Sequence, residues 1–362
     1  MNYIGSKLRL LNFLDESITS IVGDDCKSFC DLFAGTGIVG QHFKKLGYEV
    51  ISNDLQYYSY VLNRHLIVNN DYLKFSNLTK IIPTLSDTNI KDKSKIVCNY
   101  LNNLPKTNGF VYDNYCSGGT INKEFVRLYF SDINGQICDS IRIQIENWRT
   151  DSLINEDEYF FLLASLIESV DKKANTTSVY GAFLKNIKKS ALDVVTLEPL
   201  GVIKSDKNNQ VYNKDANVLI KEITPDILYL DPPYNNRVYG DNYHVLETIA
   251  RYDNPEIKGV TGNRRDKTLS KYSRKLEVKN AFKELIENSN AKYIFVSYNN
   301  EGLLSLDEIK EVLSTKGEYG IFTKKYQRYK SDVNKKKEEG HKINRNYEDV
   351  NTFEYLHYVK CG

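Results

Sequence analysis

The chain has 362 residues, is 41% hydrophobic and 27% charged, and carries a net charge of only +2. Such a composition excludes a disordered polypeptide and supplies no overall basic field, so any nucleic-acid surface must be local. Six scattered cysteines without a Cys-x-x-Cys pair argue against a disulfide framework or a zinc site, and no apolar run reaches the length of a membrane span or signal peptide. A cytoplasmic protein without metal is expected, either one large domain with a sizeable insertion or two domains.

In chain order, Leu8, Leu11, Leu14, Ile18 and Ile21 fall on one face of a helix over residues 8–22. A short apolar strand, Ser28 to Phe33, runs into Gly35-Thr36-Gly37-Ile38-Val39-Gly40. Val39, Phe43 and Leu46 mark the helix that follows, and a second strand from Tyr48 to Ser52 ends at Asn53-Asp54. Strand, glycine turn, helix, strand and acid make a βαβ unit with a right-handed crossover. The next stretch is too long for a connecting loop. Ile137, Ile141, Ile145 and Trp148 share one helical face within it, as do Tyr159, Leu162, Leu163, Leu166 and Val170. Asp113 to Gly119 reads as a polar loop. Residues 72–208 are therefore expected to form a mainly helical insertion, with residues 1–71 and 209–362 as the parent domain.

The strand returns around Val211 before Asp215, and again as Ile227 to Leu230, which stops at Asp231-Pro232-Pro233-Tyr234. Proline lacks an N–H and fixes φ, so the strand must end there. That leaves a carboxylate, a rigid carbonyl and an aromatic ring at the carboxyl end of a buried strand, where open α/β sheets bind ligands. Such a group can hold a flat ring with an exocyclic amine, although an ordinary turn accounts for these residues equally well in isolation. Beyond it, Tyr252 to Lys275 is irregular and basic. A strand runs from Tyr293 to Val296, and the tail pairs Tyr319–Tyr329 with Phe353–Val359 around a solvated lysine run, Lys335 to Lys337.

The glycine turn fits two nucleotide-like ligands. A dinucleotide seats its phosphates on the helix N-terminus, whereas S-adenosylmethionine places its amino-acid end there; in both, Asp54 can accept from ribose hydroxyls. Three segments sharpen the choice. Asp31-Leu32-Phe33-Ala34-Gly35-Thr36-Gly37 resembles the cofactor turn of adenine-specific DNA methyltransferases, Tyr3-Ile4-Gly5-Ser6-Lys7 resembles the opening motif of that family, and Asp231-Pro232-Pro233-Tyr234 matches its catalytic motif. Their order resembles the alpha group, the Dam-like D12 class, and Asp231 to Asp253 is especially similar to bacterial restriction-modification adenine methylases.

That resemblance implies a Rossmann-like α/β methyltransferase fold whose insertion recognises the target. It implies S-adenosyl-L-methionine as cofactor, double-stranded DNA and a cognate restriction endonuclease as candidate partners, and methyl transfer to the N6 of a flipped-out adenine. Asp231 and the Pro232 carbonyl would accept the amine hydrogens and Tyr234 would stack on the base. Tyr3, Lys7, Asp31, Phe33, Gly35, Gly37, Asp54 and Asp215 would line the cofactor site. Asn235, Arg237, Tyr239, Arg264, Arg265 and Lys271 are candidate DNA contacts, with Tyr272 interleaved, and Lys123, Arg127, Lys172, Lys173, Lys185, Lys188 and Lys189 are candidates in the insertion. His244 is read as structural. An RNA exocyclic-amine methyltransferase, a dinucleotide-dependent oxidoreductase and a non-enzymatic DNA-binding subunit are the competing readings.

Overall fold

Ile227 to Leu230 are four consecutive residues with no exposed surface, the pattern of a strand covered on both faces. In a computed structural model, which describes residues 5–233, 239–266, 269–300, 302–326 and 352–362, they form the middle of one sheet. The strands are β1 (Ser28–Asp31), β2 (Glu49–Asn53), β3 (Gln210–Tyr212), β4 (Ile227–Leu230), the short pair β5 (Ile257–Lys258) and β6 (Asn263–Arg264), β7 (Tyr293–Asn299), β8 (Gly317–Tyr326) and β9 (Thr352–Cys361). Seven of them make a sheet of order β3-β2-β1-β4-β7-β9-β8, in which β9 runs antiparallel to both neighbours. The other pairings are parallel. This is the Rossmann-like methyltransferase architecture. Successive strands step outward from β1 on one side and from β4 on the other, so the crevice above β1 and β4 is the topological switch point.

One face of the sheet is covered by the helices Leu11–Thr19 and Ile38–Lys45, through Leu14, Ile18, Val39 and Phe43 against Phe29, Tyr229 and Phe295. The other is covered by Val278–Asn288 and Leu306–Leu313, through Phe282, Leu285, Ile286 and Ile309. Gly40 lets the first of these layers sit close: a Cβ there would lie 2.9 Å from Ser52 Oγ and 3.4 Å from Val50 Cγ1.

Between β2 and β3 the chain is mainly helical, led by Ile90–Asn102, Asp132–Thr150 and Glu156–Asp171. Ile141, Ile145 and Trp148 are buried on the second, whereas the third is buried on nearly every side and starts from a capping box of Asn155 and Glu158. Asp113 to Gly119 is not a polar loop: Phe110–Tyr115 and Ser117–Thr120 are helical. Distant carboxylates decide this. Asp139 accepts from the N–H groups of Gly109, Val111 and Tyr112, and Asp132 from Gly118 N–H, so the orphan donors of each helix start are satisfied by the same long helix.

The core of these helices is completed from outside the insertion, by Tyr58, Val61 and Leu62 of the helix Tyr57–Asn63 and by Val245, Leu246 and Ile249 of His244–Arg251. Glu247 accepts from the N–H groups of Tyr57 and Tyr58 at 3.2 and 2.9 Å. Buried Arg142 donates to the carbonyls of Ile249 and Ala250 at 3.0 and 3.3 Å, completing the carboxyl end of the helix that follows the Asp231 motif.

Candidate active site

The glycine turn closes the βαβ unit because its backbone is held from two sides. Gly35 N–H donates to Asp54 Oδ2 at 2.8 Å, and the carbonyl of Gly35 accepts from Ser59 Oγ and from Asn63 Nδ2. Gly37 is at φ +75°, where other residues are strained, and a Cβ there would overlap Asn63 Oδ1 and displace the side chain that holds the Gly35 carbonyl. The result is a cavity of about 170 Å³ at the carboxyl ends of β1, β2 and β4. Four acids stand in its wall: Asp31 at the end of β1, Asp54 after β2, Asp215 after β3 and Asp231 after β4.

These carboxylates sit in different electrical surroundings. Asp31 is buried, its Oδ1 has no hydrogen-bond partner, and burial together with the nearby Asp231 charge pushes its carboxyl up to about 8. Asp54 is pushed up to about 6 by burial, against the donors Gln56 N–H and Gly35 N–H. Asp231 also rises to about 6; burial raises it, Lys7 opposes the rise and Glu354 adds to it. Lys7 Nζ lies 3.1 Å from Asp231 Oδ1 and 2.5 Å from Glu354 Oε1, with all three side chains largely withdrawn from solvent.

Of the described residues expected at the cofactor, Lys7, Asp31, Phe33, Gly35, Asp54 and Asp215 line this one cavity, whereas Gly37 shapes the turn without entering its wall. Lys7 differs from expectation in its partners, because its ammonium is engaged by two carboxylates. Asp54 braces the glycine turn through Oδ2, which accepts from Gly35 N–H, while Oδ1 accepts from Gln56 N–H in a local turn, and each oxygen keeps a further acceptor position. Asp215 caps the helix Ala216–Leu219 through Asn217 N–H at 2.9 Å while facing the cavity. Tyr3, Tyr234, Asn235 and Arg237 lie outside the described residues, as do the side chain of Tyr239 and the lysine run 335–337.

The basic segment after the catalytic motif divides. Arg264 is buried at 3% exposure and forks onto Asp253 at 2.8 and 2.7 Å, with Asp266 on its other edge. Its guanidinium is consumed within the fold and cannot serve a phosphate as expected. Arg265 is exposed beside Glu256, and Lys271 is exposed. Tyr272 is a wall of the cavity and not an exposed aromatic: its ring meets the Phe33 edge at 4.9 Å and its hydroxyl donates to Asn217 Oδ1 at 2.7 Å. In the insertion, Arg127 is buried against the carbonyls of Gly259 and Val260, anchoring the β5–β6 hairpin. Lys185 and Lys189 are exposed. His244 faces the carbonyls of Asp241 and Thr261 and is absent from the cavity wall.

Glu354 is the participant that motif reading missed. Its signal is a charged residue in phase with Leu356 and Tyr358, on the face of β9 that the helices Leu11–Thr19 and Ile38–Lys45 cover.

Residues 3–312 match the model of the D12 class N6 adenine-specific DNA methyltransferase family; Glu354 lies beyond that segment. Similar proteins include the type II methyltransferase M.NlaIII of Neisseria lactamica, 48% identical with 99% of each chain covered. The type II methyltransferase M.CviAII of Paramecium bursaria Chlorella virus 1 is 38% identical over 92% of this chain and 94% of its own. The type II methyltransferase M.FokI of Planomicrobium okeanokoites is 42% identical over 99% of this chain, which spans 52% of that protein.

Proposed function

The chain belongs to the D12 class of N6 adenine-specific DNA methyltransferases, and from that premise we propose that its switch-point cavity binds S-adenosyl-L-methionine beside a flipped-out adenine. Membership in a DNA-methylating family selects among the readings that the glycine turn left open, and neither RNA modification nor hydride transfer is carried further. The reading rests above all on one observation: Asp31, Asp54 and Asp231, from three different strands, line a single cavity.

The residues fit this cofactor. Asp31 offers a buried oxygen without a partner, which an ammonium at the amino-acid end would satisfy, and Asp54 retains acceptor positions for ribose hydroxyls. Phe33, backed by Tyr272, and Asp215 form the wall assigned to the cofactor's adenine. When bound, S-adenosyl-L-methionine supplies an electrophilic methyl on a sulfonium centre.

The chain's task is then to prepare a poor nucleophile. The N6 lone pair of adenine is delocalised into the ring, and it localises when both amine hydrogens are held by acceptors. Asp231 through its carboxylate and Pro232 through its carbonyl take those two places, stabilising positive charge as it develops on the nitrogen. The ionised form of Asp231 is the stronger acceptor and adds the negative charge that offsets the developing positive one. Tyr234 is assigned the stacking role by its place in the motif. Unstacking the base costs a few kcal/mol, and exposed Arg265, Lys271, Lys185 and Lys189 are assigned to phosphates. Residues 72–208 are assigned target recognition. The relatives named above are type II methyltransferases, and a cytoplasmic restriction-modification role with a cognate endonuclease is the reading we extend to this chain.

Duplex DNA incubated with labelled S-adenosyl-L-methionine should acquire N6-methyladenine in one sequence context, mapped by single-molecule sequencing of DNA from an expressing host. Asp231→Ala should lose that label while still binding the cofactor in calorimetry. Label confined to RNA, or a fully active Asp231→Ala, would defeat the reading.

A further inference from the structure

We infer that Glu354 is a positioning residue for methyl transfer: it holds the Lys7 ammonium against Asp231 and sets how strongly that ammonium acts on the catalytic carboxylate. The inference rests on the role given to Asp231 above.

The geometry is a buried chain of four groups. Ser297 Oγ donates to Glu354 Oε1 at 2.6 Å, Lys7 Nζ donates to the same oxygen at 2.5 Å, and Lys7 Nζ lies 3.1 Å from Asp231 Oδ1. The two β-strand members are diagonal neighbours across the β7–β9 ladder, where Ser297 pairs with Leu356 and Asn299 with Glu354. Glu354 is thus fixed by the sheet, 123 residues beyond Asp231 in sequence. Lys7 comes from a different place again, the short helix Lys7–Leu10 that leads into Leu11–Thr19.

A buried lysine carries a long, flexible stem and a strongly hydrated charge, so one carboxylate alone is a poor guarantee of its position. Two carboxylates on either side define it. Their combined effect is also electrical. With Glu354 ionised, one ammonium is shared between two negative charges, and Asp231 is held as an ionised acceptor without being locked in an exclusive ion pair. Without Glu354 the full ammonium charge falls on Asp231, which becomes a weaker acceptor for the adenine amine. The other charged groups facing Asp231 are Lys7 and Asp31.

The test is the single-turnover rate of DNA methylation against pH for wild type, Glu354→Gln, Lys7→Met and the double variant. Glutamine keeps the size of the side chain and an acceptor for Ser297 and Lys7 while removing the charge. We expect the Glu354→Gln rate to fall about 10- to 100-fold at neutral pH, with cofactor affinity changed less than about threefold. Its acidic limb should move down, because the charge that raised Asp231 is gone; that of Lys7→Met should move up, because the charge that lowered it is gone. The double variant should be no slower than Lys7→Met alone, since Glu354 acts through Lys7. An unchanged rate and limb in Glu354→Gln, or additive losses in the double variant, would overturn the inference. If Glu354→Gln does not fold, Ser297→Ala tests the same chain, with a displaced limb expected and an unmoved limb overturning it. Asp231→Asn is run alongside: its inactivity with an unmoved Glu354→Gln limb refutes only the role of Glu354, whereas its full activity refutes the reading of Asp231 itself.

Discussion

Asp31 and Asp139 are both buried aspartates, one at the switch point of the sheet and one in the helical insertion, and the fold treats them in opposite ways. Asp139 accepts from three backbone N–H groups and from the Tyr252 hydroxyl at 2.6 Å, so its charge is spent on folding. Asp31 keeps an oxygen with no partner and is pushed up to about 8 by burial and by Asp231. Burial raises Asp139 as well, but its donors oppose the rise. The same contrast separates the two regions generally. Buried Arg127 in the insertion is committed to carbonyls, Arg142 to carbonyls and the Glu146 carboxylate, and Arg264 to carboxylates. The acids above β1 and β4 are left with acceptor capacity in a cavity. A buried charge is structural when its valence is filled from within the fold, and a site candidate when it is not.

The largest expected break comes from Asp231→Asn. An amide keeps a single acceptor oxygen and no charge, so it cannot serve Lys7 and the adenine amine together or offset the developing positive charge, and methyl transfer should fall by about 10³-fold or more. Calorimetric affinity for S-adenosyl-L-methionine should stay within a few-fold. Asp139→Ala should do the reverse. It strands three N–H groups and a hydroxyl, each unsatisfied group costing roughly 1–3 kcal/mol, so denaturant melts should show a loss of at least about 4 kcal/mol, with the activity of the surviving folded fraction retained.

How legible these differences are in the sequence depends on the range of the interactions. The βαβ unit, the glycine turn and the strand ending at Asp231 are written locally, in alternation, glycines and prolines, and the sheet contains them at nearly the expected boundaries. The helices Asp132–Thr150 and Glu156–Asp171 are equally local in their periodicity. Asp113 to Gly119 misled because its helical starts are capped by Asp139 and Asp132, partners that no window around it contains. Arg264 misled for the same reason: a basic run looks solvated until Asp253 and Asp266 are seen to fork it. Glu354 was hidden by distance, as a residue whose meaning depends on Lys7 at the other end of the chain.

The unfilled oxygen of Asp31 makes a pH-dependent prediction. The unfolded carboxyl titrates near 3.9, and the folded one is raised to about 8. The fold therefore favours the protonated acid: its contribution to stability is complete below pH ~4 and is lost as pH climbs through 8. Asp31→Asn mimics the neutral acid and avoids that loss. Without cofactor, the variant and wild type should be nearly equally stable at pH 4, and the variant should be more stable at pH 9 by about 1–3 kcal/mol. A saturating ligand carrying an ammonium should reverse the order at pH 8, because it stabilises only the ionised wild type.

The smallest effect should fall on neighbouring arginines of one hairpin strand and its exit. Arg265 pairs with Glu256 with both side chains more than half exposed, an arrangement that contributes little to stability and leaves the guanidinium free to exchange toward a phosphate. Arg264, one residue earlier, is 3% exposed and bound on two edges. Arg265→Ala should therefore weaken DNA binding by less than about tenfold at low salt and reduce the slope of log affinity against log salt by about one. Its melting temperature should be unchanged. Arg264→Ala should lower the melting temperature and leave the salt slope of the folded protein intact, because a guanidinium already paired in the interior releases no counterion from DNA. Equal salt slopes for wild type and Arg265→Ala would place the DNA away from this hairpin and return the phosphate contacts to the exposed lysines.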